Sequence, residues 1–533
     1  MDLRNDGVET YDAIVIGSGF GGSAVAHTLV GAGERVLMLE RGDWVARGPE
    51  NWLPEGVGEL TGHYSKDVPY RVHSARGEHD VGGYYCVGGP SVFYGGVSLR
   101  FRAEDFEPNP AIAGSSGARW PFAYDELEPY YARAERLIGV AGAAGEDPTE
   151  PWRSGPYPAE PGTLAPISER MRDAARSLGL RPFRLPLAID HVGTDGRTAC
   201  RACRTCDGFA CAIGAKNDLA TTVLPALISR GMELRPGTVA VRLHTDGARV
   251  TEVEALERAT GRRYRVRGRR VVLAAGALAS PHLLLASGLD RLNPGGRVVG
   301  RYLMRHYNEI VFGLFPRRPD PDERHHKQIG IHDLYFGAPG AAEAFAKAGG
   351  IQQLPTPPVA LVRAYLPLGL GRVLTPAVEH LTGLLVIAED QPQFDNRLAL
   401  DAARTDAFGM PAAVIHHRYT ARDLAAGMTL VRQAKRVLRR AGAWILYRHR
   451  IHTFSHAVGV VRMGGDPATS ALDAACRYRG LANLWVTDGS FMPTSAGVNP
   501  SLTIAANALR AAEAMLDHDP EREAPTYVVS EHR

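Results

Sequence analysis

The chain predicts an α/β fold, a discontinuous domain with a parallel sheet beside a second, mostly antiparallel domain, and three observations carry the first part of that prediction. Ile14, Val15 and Ile16 form a short β-branched apolar run, the pattern of a parallel strand buried on both faces. Gly17, Gly19 and Gly22 follow at once in G-x-G-x-x-G spacing and open a helix, so the stretch reads strand, glycine turn, helix. Residues 271–275 (VVLAA) and 484–486 read as further buried strands, which brings the chain back to the same sheet and makes that domain discontinuous.

The glycines have separate tasks in such a turn. Gly17 permits the tight bend, Gly19 lets backbone approach a pyrophosphate, and Gly22 lets the helix pack on the strand, with Ser18 between the first two. A second strand over 35–39 ends in Glu40 and Arg41, where a carboxylate meets a ribose diol. Residues 42–82 hold prolines, glycines and aromatics without a period and read as a loop that wraps the ligand. Residues 86–102 then place the pairs Gly88/Gly89 and Gly95/Gly96 around Ser91 and Tyr94, backbone suited to close approach. Apolar residues at helical spacing over 120–140 predict a packed surface helix.

Cys200, Cys203, Cys206 and Cys211 lie within twelve residues. Their spacing admits an iron-sulfur or zinc ligand set, and equally a cysteine-rich turn of reduced thiols. A helix over 221–229, a strand over 233–243 containing Val239, and a surface hairpin over 250–270 lead to the strand 271–275 with Ala275 at its end, and then to a helix beginning near Ser280. Residues 301–447 have a different texture, with strand-like runs at 309–314, 384–388 and 397–400, and read as a second, mostly antiparallel domain. The pairs His325/His326 and His416/His417 read as surface or loop residues rather than metal ligands, because adjacent histidines on a strand point to opposite faces.

Composition narrows the function classes. At 533 residues and 45% hydrophobic the chain needs more than one core, and Lys+Arg 61 against Asp+Glu 58 gives no charge excess for nucleic acid. The basic stretch 261–270 alternates as an exposed hairpin does. No leader fits before the first strand, which predicts a cytoplasmic protein. The apolar residues 357–370 are broken by Arg363, Pro367 and Gly369, short of the roughly 20 needed to span a membrane. No second G-x-G-x-x-G follows a strand, so one dinucleotide is expected. No G-x-S-x-G elbow supports a serine hydrolase.

The last eighty residues carry the sharpest signal. Asp488 and Gly489 follow the strand 484–486, at the carboxyl end where open sheets bind ligands. Asn499 reads as a helix N-cap with Pro500 at the first helical position, and a helix N-terminus there would stabilise a reduced, anionic ring. Upstream, HTFSHAVGVVRMGG starts at His452.

Together these motifs resemble the glucose-methanol-choline oxidoreductase family, from residue 11 to about 515 and most weakly over 316–387. The family's first glycine motif matches Gly17, Gly19, Gly22 and Glu40, and its second matches Gly88, Gly89, Ser91 and Gly95. Its H-x-x-G-T-x-R-M-G segment matches 456–464 and its N-P-x-x-T-I segment begins at Asn499. The resemblance implies FAD in a Rossmann-like domain made of 1–105, 196–305 and 451–533, a covering segment over 106–195, and a substrate domain over 306–450. It implies a cofactor site that also includes Ser18, Arg41, Tyr94, Val239, Ala275, Asp488, Gly489, Asn499 and Pro500. His456 is the implied base that takes a hydroxyl proton while hydride leaves carbon for flavin N5, with Asn499 fixing the substrate oxygen. His452, four residues from His456, is the rival base if the segment is extended.

Three departures from the family pattern matter. Val460 replaces a threonine. Phe93 stands where some relatives carry a flavin-linking histidine, so the FAD is expected to be noncovalent. The cysteine group resembles, with different spacing, a segment that holds an iron-sulfur cluster in some bacterial sugar dehydrogenases. The implied reaction is oxidation of a CH–OH group, with reoxidation by O2, giving H2O2, or by another acceptor. The implied partner is a small-molecule alcohol, a sugar or sugar-containing natural product such as an aminoglycoside. A sterol or aryl-alcohol oxidase and a hydroxynitrile-lyase-like enzyme are the alternatives.

Overall fold

The computed structural model describes residues 7–52, 64–74, 77–325, 327–337, 347–357, 359, 362 and 376–520. Among these residues three sheets form. The largest contains β1 (Glu9–Ile16), β2 (Val36–Leu39), β6 (Glu233–Arg235), β7 (Thr238–Thr245), β8 (Val250–Glu257), β9 (Arg263–Leu273) and β17 (Leu484–Val486), in the order β6-β2-β1-β9-β8-β7 with β17 also on β9. A six-stranded antiparallel sheet runs β16 (Ile445–Arg450), β10 (Tyr307–Leu314), β13 (Leu381–Ala388), β12 (Gly349–Leu354), β11 (Ile329–Ile331) and β5 (Phe183–Arg184). A four-stranded sheet runs β14 (Arg397–Thr405), β15 (Pro411–His416), β3 (Tyr64–Ser74) and β4 (Gly77–Tyr84).

β1 lies in parallel between β2 and β9, and its Ile14 and Val15 are fully buried, as the unbroken apolar run requires. The helix Phe20–Gly31 packs on the alanine-rich helix Ser501–Asp517, whose Ala505, Ala508 and Ala512 are buried in the shared core. Small side chains allow that close approach. The six-stranded sheet buries Val311, Leu384 and Val386 against Leu430, Val437 and Leu438 of the helix Ala421–Arg440, which Thr420 and Asp423 start with a reciprocal capping box. The two large sheets therefore have separate cores, and one cavity is lined from both.

Several expectations change. Residues 42–82 are not all loop: β3 and β4 form a hairpin there and join β15, so the strand at 397–400 lies in the four-stranded sheet rather than the six-stranded one. The strand expected over 233–243 is two, broken where Gly237 adopts φ 62° after Pro236. The expected hairpin over 250–270 and strand over 271–275 share one long strand, β9. Its first half carries β8 and its second half carries β17, with β1 along the other edge.

The basic stretch 261–270 is matched from across the ladder. Arg263 pairs with Glu254, Arg265 and Arg267 pair with Glu252, and Arg270 pairs with Glu34. The helix Tyr124–Ile138 carries buried charge, since Glu128 and Glu135 both meet the buried guanidinium of Arg100 at 2.9 and 2.8 Å. His325 and His417 are buried, contrary to a surface role, while His416 stacks on His73 with centroids 4.9 Å apart. His326 and most of the apolar stretch 357–370 lie outside the described residues. Among those described, no helix is long and apolar enough to cross a membrane.

Candidate active site

The carboxyl ends of β1, β9 and β17 open onto a cavity of 690 Å³ that runs from the large sheet to the six-stranded one. At its inner end the glycine turn divides its tasks as the sequence predicts. Gly17 sits at φ 104°, and a Cβ on it would lie 2.3 Å from Ala274 O; one on Gly22 would lie 2.0 Å from Gly17 O. Gly19 differs: a Cβ there meets nothing within 4 Å, because it would project into the cavity. Gly89 faces it from the second glycine motif, its own Cβ position 3.2 Å from Gly19 Cα.

Glu40 closes this end. Its buried carboxylate accepts from Ser18 N (3.0 Å), Ser18 Oγ (2.6 Å) and Gly42 N (2.9 Å), and Ser18 Oγ accepts from Gly88 N (2.9 Å). Burial pushes the Glu40 carboxyl above its ordinary value, against the pull of those donors. Ser91 and Gly88 lie behind the wall rather than in it: Ser91 Oγ donates to Gly88 O (2.6 Å) and accepts from Leu219 N (3.1 Å). Arg41 lies over the Tyr85 ring at 3.7 Å, and Arg41, Val239 of β7 and Ala275 all line the cavity. Asp488 ties the strand ends together, accepting from Gly276 N (3.0 Å), Ser490 N (2.9 Å) and Ser280 Oγ, beside Gly489.

These residues fit FAD. Gly19 and Gly89 leave a methyl-free cradle for a pyrophosphate, and Glu40 Oε1, which accepts a single bond, keeps acceptor capacity for a ribose hydroxyl. The N-terminus of the helix Ser501–Asp517 opens on the same cavity. Pro500, not Asn499, is its N-cap, at φ −84° and ψ −11°. The Asn499 side chain is engaged elsewhere: its Oδ1 accepts from Gln352 Nε2 of β12 at 2.5 Å.

His456 lines the cavity wall contributed by residues 451–457. That segment is irregular rather than extended, so His452 does not share its face; His452 is exposed and meets His79 edge-on at 5.9 Å. His456 Nδ1 lies 3.1 Å from His306 Nδ1. Desolvation, then the positive charge of Lys327 and Arg305, hold the His456 imidazole well below its ordinary pKa, which keeps it neutral. Asn499 and His456 thus share one cavity, 43 positions apart in the chain.

The cysteine segment forms a wall. Lys216 is buried and donates to three carbonyls, Tyr94 O (3.0 Å), Cys206 O (3.0 Å) and Phe209 O (2.7 Å), which folds the loop so that Arg204, Asp207 and Phe209 face the cavity. Burial pushes the Cys200 and Cys206 thiols up, toward the protonated form. Among the described residues, no group of three or more His, Cys, Asp or Glu is placed to hold a metal ion, which counts against the cluster that the spacing admits. Gly95 has a local reason: a Cβ would lie 2.8 Å from Lys327 Cδ and 3.0 Å from Asp207 Cγ, whose ion pair closes at 2.7 Å. Tyr94 meets Phe20 edge-on at 5.6 Å and Phe93 fills the wall beside Tyr84.

Sequence reasoning missed His306, Gln352, Lys327 and Lys216. None belongs to a spaced motif; His306, Gln352 and Lys327 meet their partners only through folding, while Lys216 closes a loop on Cys206 and Phe209 close by in the chain.

A dinucleotide cradle at one end of a cavity and a neutral imidazole at the other is the layout of a flavin-dependent oxidoreductase. Comparison with known proteins narrows the class. The GMC oxidoreductase profile matches residues 81–308 and 392–508. The chain is 34% identical to paromamine 6'-oxidase of Streptomyces fradiae, over 96% of this chain and 92% of that one. It is 33% identical to 6'''-hydroxyparomomycin C oxidase of Streptomyces lividus, over 97% and 94%. Pyridoxine 4-oxidase from Mesorbium loti shares the fold at TM-score 0.66 and 20% identity, covering 95% of this chain and 99% of that one. The chain belongs to the GMC oxidoreductase family, and it is an FAD-dependent enzyme acting on CH–OH groups.

Proposed function

We propose that the substrate is a sugar-containing natural product of the aminoglycoside class, oxidised at a hydroxyl-bearing carbon whose hydroxyl is handled by His456 and Asn499. The shared cavity of His456, Asn499 and the glycine cradle carries the residue roles; near-complete alignment with two aminoglycoside oxidases carries the substrate class. Bound FAD supplies the hydride acceptor. His456, neutral and partly desolvated, takes the hydroxyl proton on the nitrogen that faces the cavity. Asn499 holds the substrate oxygen, which fixes the C–H bond that breaks. The N-terminus of the helix Ser501–Asp517 offers partial positive charge where negative charge develops.

FAD is held without a covalent link, since Phe93 offers no nucleophile. O2, giving H2O2, or another acceptor takes the electrons afterwards. Six free thiols fit a reducing, cytoplasmic setting. A panel of paromamine, simple sugars, sterols and aryl alcohols, assayed with O2 and with a dye acceptor, tests the substrate class. Turnover confined to aryl alcohols or sterols would sink it.

A further inference from the structure

His306 is a buried residue that no motif marks, held in a conformation L-residues rarely adopt, φ 60°. A non-glycine residue there is strained and persists only where its surroundings over-determine it. They do so here. His306 N donates to Asp390 Oδ1 (3.1 Å), His306 O accepts from Tyr419 Oη (2.8 Å), and both ring nitrogens are occupied.

The ring contacts have a direction. His306 Nε2 lies 2.9 Å from Ser495 O, and a carbonyl only accepts, so Nε2 carries the hydrogen. In a neutral imidazole the other nitrogen is then an acceptor. His306 Nδ1 therefore presents a lone pair to His456 Nδ1 at 3.1 Å, and His456 must answer with Nδ1–H. Turning the His306 ring over would place carbons at both contacts and lose both bonds, so the orientation is not free. We propose that His306 is the positioning residue that fixes the tautomer of His456, keeping Nδ1 protonated so that Nε2 offers its lone pair to the cavity.

The inference rests on His456 being the base, and it adds which nitrogen acts and what sets it. The proton of the substrate hydroxyl goes to His456 Nε2 while hydride leaves the same carbon for the cofactor. The imidazolium that results keeps its Nδ1–H on the His306 lone pair, so the contact strengthens as charge develops. The charged groups that face the pair come from several elements. Arg305 is its chain neighbour and places its guanidinium on the carbonyls of Ile451 and His452; Lys327 adds positive charge from the strand side. Asp390 is engaged by the backbone N–H groups of Arg305 and His306, by Ser495 Oγ, and by His417 at 3.6 Å.

The deciding experiment is 15N NMR of histidine-labelled holoenzyme, with His456 assigned by its loss in His456→Ala. The expected result is a neutral His456 protonated at Nδ1 and bare at Nε2. A neutral His456 protonated at Nε2 would overturn the assignment, even if His456→Ala is inactive; an active His456→Ala would instead remove the base itself. Two variants add a functional readout. His306→Gly suits φ 60° but removes the acceptor, and His306→Asn tolerates that backbone and returns an oxygen near the Nδ1 position. In His306→Gly the Nδ1–H signature is lost, and anaerobic flavin bleaching by paromamine slows roughly 10- to 100-fold, the usual effect of removing a residue that orients another. His306→Asn restores the signature and most of the rate. Equal rates and equal His456 spectra in the two variants would show that His306 is structural only.

Discussion

Replacing Gly19 by alanine should leave the fold intact and abolish cofactor binding. Gly19 has φ −71° and ψ −168°, ordinary extended backbone, and its Cβ would meet no atom within 4 Å. A Gly→Ala change at such a position gains about 0.4–1 kcal/mol through the unfolded chain. Gly19 is also the N-cap of the helix Phe20–Gly31, and alanine caps less well, which offsets about the same amount. The apoprotein should therefore change by less than about 0.5 kcal/mol. The open space, however, is the proposed seat of the pyrophosphate, so the methyl group and FAD should compete. Ligand at 100 times Kd stabilises a fold by about 2.7 kcal/mol, and that increment is what Gly19→Ala should lack. Gly22→Ala is the contrast, because its Cβ would lie 2.0 Å from the backbone oxygen of Gly17 and should disrupt the fold itself. Thermal melts of the stripped proteins with and without FAD, together with flavin absorbance after purification, measure both effects. If Gly19→Ala purifies yellow, or gains as much melting temperature from FAD as the wild type, the cradle is misplaced.

His456→Ala should keep its flavin and slow anaerobic flavin reduction about 10²- to 10⁴-fold, read by stopped-flow absorbance. Because desolvation, and then the positive charge of Lys327 and Arg305, depress the His456 pKa, the base form persists as pH falls through 6.5, the ordinary value for an imidazole. The reduction rate should be flat across neutral pH and fall only below 6.5; a midpoint above 7 would contradict the burial argument. Acid precipitation should leave all the flavin in the supernatant, and flavin retained on the polypeptide would mean a covalent link that Phe93 cannot make. Glu135 shares its buried carboxylate between Arg100 and Arg153; Glu135→Ala leaves Arg100 on Glu128 and Arg153 on Glu150, so it should destabilise by about 1–3 kcal/mol in denaturant unfolding.

What the sequence disclosed follows from how locally each feature is encoded. The glycine turn, Glu40 and β1 are contiguous and depend on backbone sterics, so spacing alone reveals them. β9 was legible only in halves: alternation marks the part beside β8 and continuous apolarity the part beside β1 and β17, because burial changes along a single strand. The hairpin of β3 and β4 was hidden because its partner, β15, lies more than 300 residues away. At the site, His456 and Asn499 stand in motifs, yet the side chains they meet, His306 just before β10 and Gln352 of β12, lie far away in the chain. The helix N-cap was misjudged for a related reason: Asn499 is a good cap in isolation, but Gln352 claims its side chain and Pro500 takes its place.

The central claim is hydride removal from a substrate carbinol carbon in a cavity where His456 is the base. Anaerobic stopped-flow reduction by paromamine, unlabelled and deuterated at the carbon being oxidised, tests it directly. The flavin absorbance should bleach fully, and deuteration should slow the bleaching severalfold. A flavin that stays oxidised with paromamine and every other alcohol offered, or a bleaching rate indifferent to both deuterium and His456→Ala, would contradict it.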